Sequence, residues 1–406
     1  MIIIGYIVPL KTRPQYMAVQ SCTYGVASVA GPLLGGLFTD SKVLTWRFCF
    51  WISLPFGAVT AIIMVAFLHN PKQTDWKLSF KEKLARMDIL GALFLISAMV
   101  CLLLALQWGG NEYAWSDSRV FGSLIGFGLL LAVFVSLQAR HADNVTIPFR
   151  IITQRTVAAS CGFTTTLAMV SSTFSYFLPI FFQAVKGETA SGSGVKILPF
   201  LMSLTGITLF SGAAITAVGY YVPFMWTGGA LALIGSSLLY TLDPSSSTGK
   251  LVGYQIITGL GIGVSVQIPF IAAQVVLSGK DMASGMSIIG FFNALGGALA
   301  ISIAQNIFSN ALKSELQNIQ GIDAEALLRA GATDIARKIP DALLAPALSA
   351  FSYAITRAYI LGIAAAATAL VCSFLMQFRS VKEQNAGVIT DNSNITDENT
   401  VGKERV

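Results

Sequence analysis

Ten stretches of about 20 mostly apolar residues, each long enough to cross a bilayer core of about 30 Å, run along this 406-residue chain. They lie at 17–38, 46–68, 88–108, 118–138, 157–182, 195–217, 222–241, 251–275, 285–308 and 352–376. In hydrocarbon a spanning segment must satisfy its own backbone donors and acceptors, so these stretches read as helices. The expected fold class is all-α, a polytopic membrane helix bundle with the lipid bilayer as its solvent. Hydrophobic residues make up 54% of the chain and charged residues 11%, and the charges fall in a few clusters.

Those clusters set the orientation. Lys11 and Arg13, then Lys72, Lys77, Lys81, Lys83 and Arg86, then Arg140, Arg150 and Arg155, then Lys280, then Arg379 and Lys382 mark alternate connections. The excess of Lys and Arg assigns that side to the cytoplasm. The opposite connections hold scattered charges: Lys42, Arg119, Lys186, Lys196 and Lys250, with Glu112 and Asp117. The formal charge of +6 is thus a matter of topology, and no nucleic acid is expected as a partner. Residues 1–10 are apolar but too short to span. They carry no basic leader or small-residue cleavage site, so they read as the end of a helix rather than a signal peptide.

Two connections are long. Residues 69–87 are basic, with Trp76, Leu78, Phe80 and Leu84 interleaved, which predicts a short helix at the anionic inner leaflet. Residues 309–350 carry Ala311, Leu312, Leu316 and Ile319, then Ala324, Leu327, Leu328 and Ile335, at helical spacing. They predict two amphipathic helices forming an outer cap, as plain cover or as a ligand gate.

Catalytic constellations do not emerge. The two histidines, His69 and His141, lie apart in connections, and there is no Gly-x-Ser-x-Gly elbow. The five cysteines, Cys22, Cys49, Cys101, Cys161 and Cys372, sit in spans at irregular spacing and read as small buried hydrophobes. Gly259-Leu260-Gly261-Ile262-Gly263 superficially matches a dinucleotide loop but lies inside an apolar span, where helix packing is the better reading. The sequons at Asn144 and Asn394 fall on the cytoplasmic side, where glycosylation is not expected. No catalytic residue, metal or cofactor is expected, and the chain does not read as an enzyme.

Uncharged polar and aromatic groups inside spans are the binding candidates, because they are costly unless they face the bundle interior or a cavity. Gln267 and Gln274 are seven residues apart, hence on one helix face, with Pro269 between them. Gln255, Asn293, Gln305 and Asn306 extend that polar lining. The fifth span adds Phe174, Tyr176, Phe177, Phe181, Phe182 and Gln183 around Pro179. An aromatic cavity with a few amides suits a bulky, weakly polar organic ligand. Hydrogen bonding between helices accounts equally well for the amides, and rings facing lipid account for the aromatics.

One span carries a stripe of glycines: Gly25, Gly31, Pro32, Gly35 and Gly36, in the run from Gly25 to Gly36. An interior Pro would cost a soluble helix about 3 kcal/mol, whereas in membranes small residues let helices approach closely. With Thr45-Trp46-Arg47-Phe48-Cys49-Phe50-Trp51-Ile52-Ser53-Leu54-Pro55 after it, the stripe resembles the antiporter motif and next-helix entry of the fourteen-span drug:proton antiporters of the major facilitator superfamily. Further on, Gly261-Ile262-Gly263 with Gln267, Pro269 and Gln274, then Gly296-Gly297 and Gln305-Asn306-Ile307-Phe308, resemble the C-terminal helices of fungal toxin and multidrug efflux pumps in that group.

The resemblance implies alternating access, with small hydrophobic molecules exported against entering protons by a monomer at the plasma membrane, with vacuolar or vesicular membranes as alternatives. It implies that the glycine stripe holds the two bundles together in one access state. Family members have about four helices before the motif, so the chain reads as truncated at its N-terminus. By this reading 1–68 is a remnant of the first bundle and 69–140 a basic connector with two central spans. Residues 141–380 form a complete second bundle with an outer loop at 309–350, and 381–406 a disordered cytoplasmic tail. No ionisable group falls clearly at mid-span, so proton coupling is expected either in the helices ahead of the motif or at edge residues such as Asp40, Arg47 and Asp88. A non-transporting membrane protein that binds a lipid or partner through the second bundle is the alternative.

Overall fold

Proline and glycine punctuate the chain where its helices start, break and stop. The structure, a computed structural model, describes residues 13–41, 43–67, 88–110, 112–140, 147–277, 279–319 and 341–379. In order, the helices are α1 (Arg13–Asp40), α2 (Phe48–Trp51), α3 (Ser53–Phe67), α4 (Ile89–Trp108), α5 (Ser118–Arg140), α6 (Phe149–Ile152) and α7 (Arg155–Ala184). They continue with α8 (Ala190–Lys196), α9 (Leu198–Val218), α10 (Val222–Tyr240), α11 (Thr248–Ser265), α12 (Ile268–Val276), α13 (Gly279–Gln317) and α14 (Asp341–Phe374). Prolines occupy the first turns of α9, α10 and α12, where the missing N–H costs nothing. Gly219, at φ 89°, closes α9 in the left-handed region that glycine adopts freely.

Nine helical segments among the described residues are long and apolar enough to cross a membrane. They match nine of the ten stretches read from the sequence, and the remaining one, 17–38, lies within the 28-residue α1. The chain is an all-α, multi-pass integral membrane protein. Two spans are interrupted. α8 gives way to α9 at Ile197, and α11 to α12 at Val266–Gln267, where Pro269 cannot donate to the carbonyl four residues earlier. The first of the two amphipathic outer helices is the end of α13, which runs unbroken for 39 residues and buries Leu312 and Leu316. The expected helix at 69–87, the second outer helix around 324–335, residues 1–10 and the tail at 381–406 lie outside the described residues.

The core belongs to α7, α9, α10, α11, α13 and α14. α7 packs on α13 and α14, α11 lies between α9 and α10, and α14 closes against α10 and α13. The α4–α5 hairpin rests on α13, and α1 lies along α8 and α9. By contrast, α3 buries none of its residues.

Close approach depends on glycine. A Cβ on Gly259 would stand 2.1 Å from the Ser203 hydroxyl, and one on Gly263 2.2 Å from the Leu204 carbonyl oxygen, both on α9. A Cβ on Gly261 would stand 2.2 Å from the Ala232 amide nitrogen on α10. The three glycines therefore seat α11 against both neighbours at once. Lipid supplies no hydrophobic drive between helices, so this contact of backbones supplies the packing energy. We expect Gly261→Leu to destabilise the bundle by about 2 kcal/mol, the usual scale of overpacking. Gly290→Leu, with nothing within 4 Å of its Cβ position, should leave stability unchanged. Thermal unfolding in detergent distinguishes the two.

Candidate functional site

The convergence of α7, α12 and α13 is the candidate site; two local features build it, and a third lies about 20 Å farther along α7 and α13. The first is the break after Ser265. Gln267 sits in the turn with its side chain half exposed, and its carbonyl accepts from the Ile271 amide at 3.2 Å to start α12. Gln267 thus belongs to the turn and Gln274 to α12, so no single unbroken helix carries both. Gln274, within α12, directs its amide nitrogen to the Met286 sulfur of α13 at 3.8 Å.

The second feature is the polar seam between α7 and α13. Asn293 Nδ2 donates to Thr164 Oγ1 at 3.3 Å, and Thr165 Oγ1 donates to the Phe292 carbonyl at 3.2 Å. A Cβ on Gly296 would stand 2.2 Å from the Thr165 carbonyl oxygen, so the seam exists because the helices meet at backbone distance. The Thr164-Thr165-Thr166 run inside a span signalled this seam, and sequence reasoning passed over it.

The third is an aromatic wall. Phe177 lies 5.6 Å from Phe308, Phe308 lies 6.4 Å from Phe351, and Phe174 lies 5.0 Å from Tyr359, centroid to centroid. The Tyr359 hydroxyl is fully buried and has no hydrogen-bond partner among the described residues, an arrangement that ordinarily costs about 1–3 kcal/mol. This mid-span tyrosine was also missed.

The other sequence candidates disperse. Tyr176 turns outward, 41% exposed, against the edge of Phe177. Gln183 donates to Ser193 Oγ at 2.9 Å, tying α7 to α8. Gln305 donates to Ser309 one turn along α13 at 3.3 Å. Gln255 is fully buried, with its nitrogen on the Leu251 carbonyl and its oxygen unpartnered among the described residues. In this conformation Phe177 and Gln255 are packed groups.

The glycine stripe divides into two faces. A Cβ on Gly36 would stand 2.7 Å from Ser191 Cα, and one on Gly25 2.2 Å from Thr205 Cγ2. From α8, a Cβ on Gly194 would meet the Pro32 carbonyl at 2.7 Å. Gly31 and Gly35 look the other way, with nothing within 4 Å of their Cβ positions. At the C-terminal end of α1, beyond the span at 17–38, Asp40 Oδ2 accepts from the Ser191 amide at 2.9 Å. Burial pushes the Asp40 carboxyl up, but hydrogen bonds from Ser191 and its neighbours outweigh that and hold it below the ordinary value of 3.8. Its contribution to the α1–α8 contact is therefore full at neutral pH and lost only as pH falls through that lowered value.

Known proteins resemble this chain in sequence over most of its length. The model of the Major Facilitator Superfamily matches residues 1–301. MFS-type transporter ltbE of Aspergillus luteorubrus is 42% identical over 95% of this chain and 71% of its own length. MFS-type efflux pump MFS1 of Arthroderma benhamiae is 41% identical over 94% of the chain and 71% of its own. The aspyridones efflux protein of Neocamarosporium betae is 38% identical over 96% and 69%.

The two faces of the stripe differ in consequence. We expect Gly36→Leu to force α1 off α8 and lower the melting temperature in detergent by several degrees, whereas Gly31→Leu leaves it unchanged. With a matched family model over most of its length and relatives near 40% identity, the chain belongs to the Major Facilitator Superfamily, among its transmembrane efflux transporters.

Proposed function

We propose that this transporter exports small, bulky, weakly polar organic molecules by proton antiport, acting as a monomer at the plasma membrane and catalysing no chemical reaction. The observation that carries the substrate class is the chemistry at the α7–α12–α13 convergence. Uncharged amides, Gln267, Gln274 and Asn293, stand in half-buried positions on segments that also carry the half-buried rings of Phe270 and Phe292. Amides orient a ligand by single hydrogen bonds, and the rings supply area without charge selectivity. One relative is named as an efflux protein for aspyridones, which supports an organic cargo of this kind.

Alternating access fits the contrast between two contact types. The α1–α8 contact rests on backbone approach at Gly36 and Gly194 and one carboxylate at Asp40. The α7–α13–α14 core is held by interlocked rings and hydrogen bonds. Rocking opens the first and leaves the second intact.

Proton carriage does not suit the edge carboxylates. Asp40 stays ionised near neutral pH and holds Ser191. Asp88 accepts from Gly91 and Gln138 as the cap of α4. Asp40→Asn, which keeps an acceptor oxygen, should leave the pH profile of export where it was.

The test is retention of the dye rhodamine 6G in cells expressing the protein. We expect lower retention than in control cells, with the difference abolished by a protonophore. Gln267→Leu and Gln274→Leu should raise the apparent KM for the dye several-fold with little change in maximal rate, as loss of binding common to all states requires. Equal retention with and without the protein would overturn the reading.

A further inference from the structure

The hairpin of α4 and α5 is tied at both of its ends to the second bundle, and the ties are of a kind that does not slide. At the inner end Asp88 adopts a positive φ of 43°, a conformation that Asp tolerates better than most residues. It is held there by what its carboxylate does. Oδ1 accepts from the Gly91 amide at 3.0 Å, and Oδ2 accepts from Gln138 Nε2, near the end of α5, at 2.5 Å. Gln138 is 3% exposed, and its Oε1 accepts from the Ile147 amide at 3.2 Å. Ile147 leads through Pro148 into α6, whose Arg150 makes a two-pronged ion pair with Asp281 of α13 at 2.7 and 3.0 Å. One buried glutamine thus joins both strands of the hairpin to the entry of the second bundle.

At the outer end the donor comes from the bundle itself. The last carbonyls of a helix lack intrahelical partners. Those of α4 are met by Asn306 of α13, whose Nδ2 donates to the Leu106 carbonyl at 3.5 Å and to the Gly109 carbonyl. Asn310, one turn on, donates to Asn306 Oδ1 at 2.8 Å and holds the amide in that orientation. Asn306 therefore does not extend the polar lining that the sequence alone had assigned to it. Trp115 lies against Gly109 and Gly110, where any Cβ would meet its ring within 2.6 Å, so the turn between α4 and α5 is fixed beside the tie.

We propose that α4 and α5 form a fixed wall of the second bundle, pinned by Gln138 inside and Asn306 outside, and that they travel with it rather than with α1–α3. The proposal rests on the reading of the chain as a rocking transporter. Sliding the hairpin against α13 would strand the Gln138 amide oxygen, the Ile147 N–H and the terminal carbonyls of α4 in a low-dielectric setting, whereas parting α1 from α8 exposes little beyond one carboxylate hydrogen bond.

Spin-label distance measurement on the full chain in nanodiscs tests this. In a background with the five cysteines replaced by alanine, labels at Ser136 and Ser287 report hairpin against α13, and labels at Thr60 and Ser136 report α3 against hairpin; all three positions are exposed. Spectra are taken at pH 8 and pH 5, with and without tetraphenylphosphonium. The Ser136–Ser287 distribution should keep its mean and width throughout, while the Thr60–Ser136 distribution shifts. Asn306→Leu and Gln138→Leu, singly and together, should broaden the Ser136–Ser287 distribution, about twofold for the pair. A Ser136–Ser287 shift as large as that of the other pair, or an unaltered width in all three variants, overturns the proposal. If neither pair shifts in the parent protein, rocking is refuted, and the pinning is still judged by the width in the variants.

Discussion

Everything in this structure depends on how near two helical backbones can come. In a bilayer the apolar surface of a helix is already solvated by lipid, so burying it against another helix gains little, and what remains is van der Waals contact and hydrogen bonding at short range. Glycine makes that range available at Gly259, Gly261 and Gly263 on α11, at Gly296 on α13, and at Gly36 and Gly194 where α1 meets α8. Once backbones touch, hydroxyls such as those of Thr165 and Thr208 reach carbonyls on the neighbouring helix and add direction to the contact.

The same physics distributes mobility. The second bundle combines glycine contacts with interlocked rings and buried hydrogen bonds, which supports the proposal that its helices move as one. Among the described residues the α1–α8 contact has the glycines and a single carboxylate but no aromatic interlock, which supports the proposal that an access path opens there. The break at Val266–Gln267 is a third element. There Pro269 removes one helical hydrogen bond at mid-span and Gln267 stands half-buried in the turn, which is where the proposed site places a ligand.

Fold class was legible from the length of the apolar stretches, because about 20 residues in hydrocarbon leave few alternatives. Sidedness was assigned from the excess of Lys and Arg in alternate connections. The interruptions were harder to read: Pro269 marked one, yet Gln267 and Gln274 scanned as part of one unbroken helix, because periodicity carries no record of a turn two residues long. The amphipathic run at Leu312 and Leu316 read as a separate helix because its hydrophobicity changes, although its helical phase does not. For the site, residue type identified which side chains were costly in a membrane but not how each is satisfied. Gln183, Asn293 and Asn306 look alike in sequence, and their partners, Ser193, Thr164 and the end of α4, lie 10, 129 and about 200 residues away. The glycine stripe was conspicuous, but only the packed structure separates Gly25 and Gly36, which touch the second bundle, from Gly31 and Gly35, which do not.

The central claim, that this chain couples movement of a hydrophobic molecule to movement of protons, is tested most directly in liposomes. The purified protein is reconstituted with a pH-sensitive dye inside, a pH gradient is imposed, and tetraphenylphosphonium is added. Discharge of the gradient that requires both the protein and the added molecule, and that saturates with its concentration, is the expected result. A gradient that persists while the molecule demonstrably binds the protein would contradict coupled export.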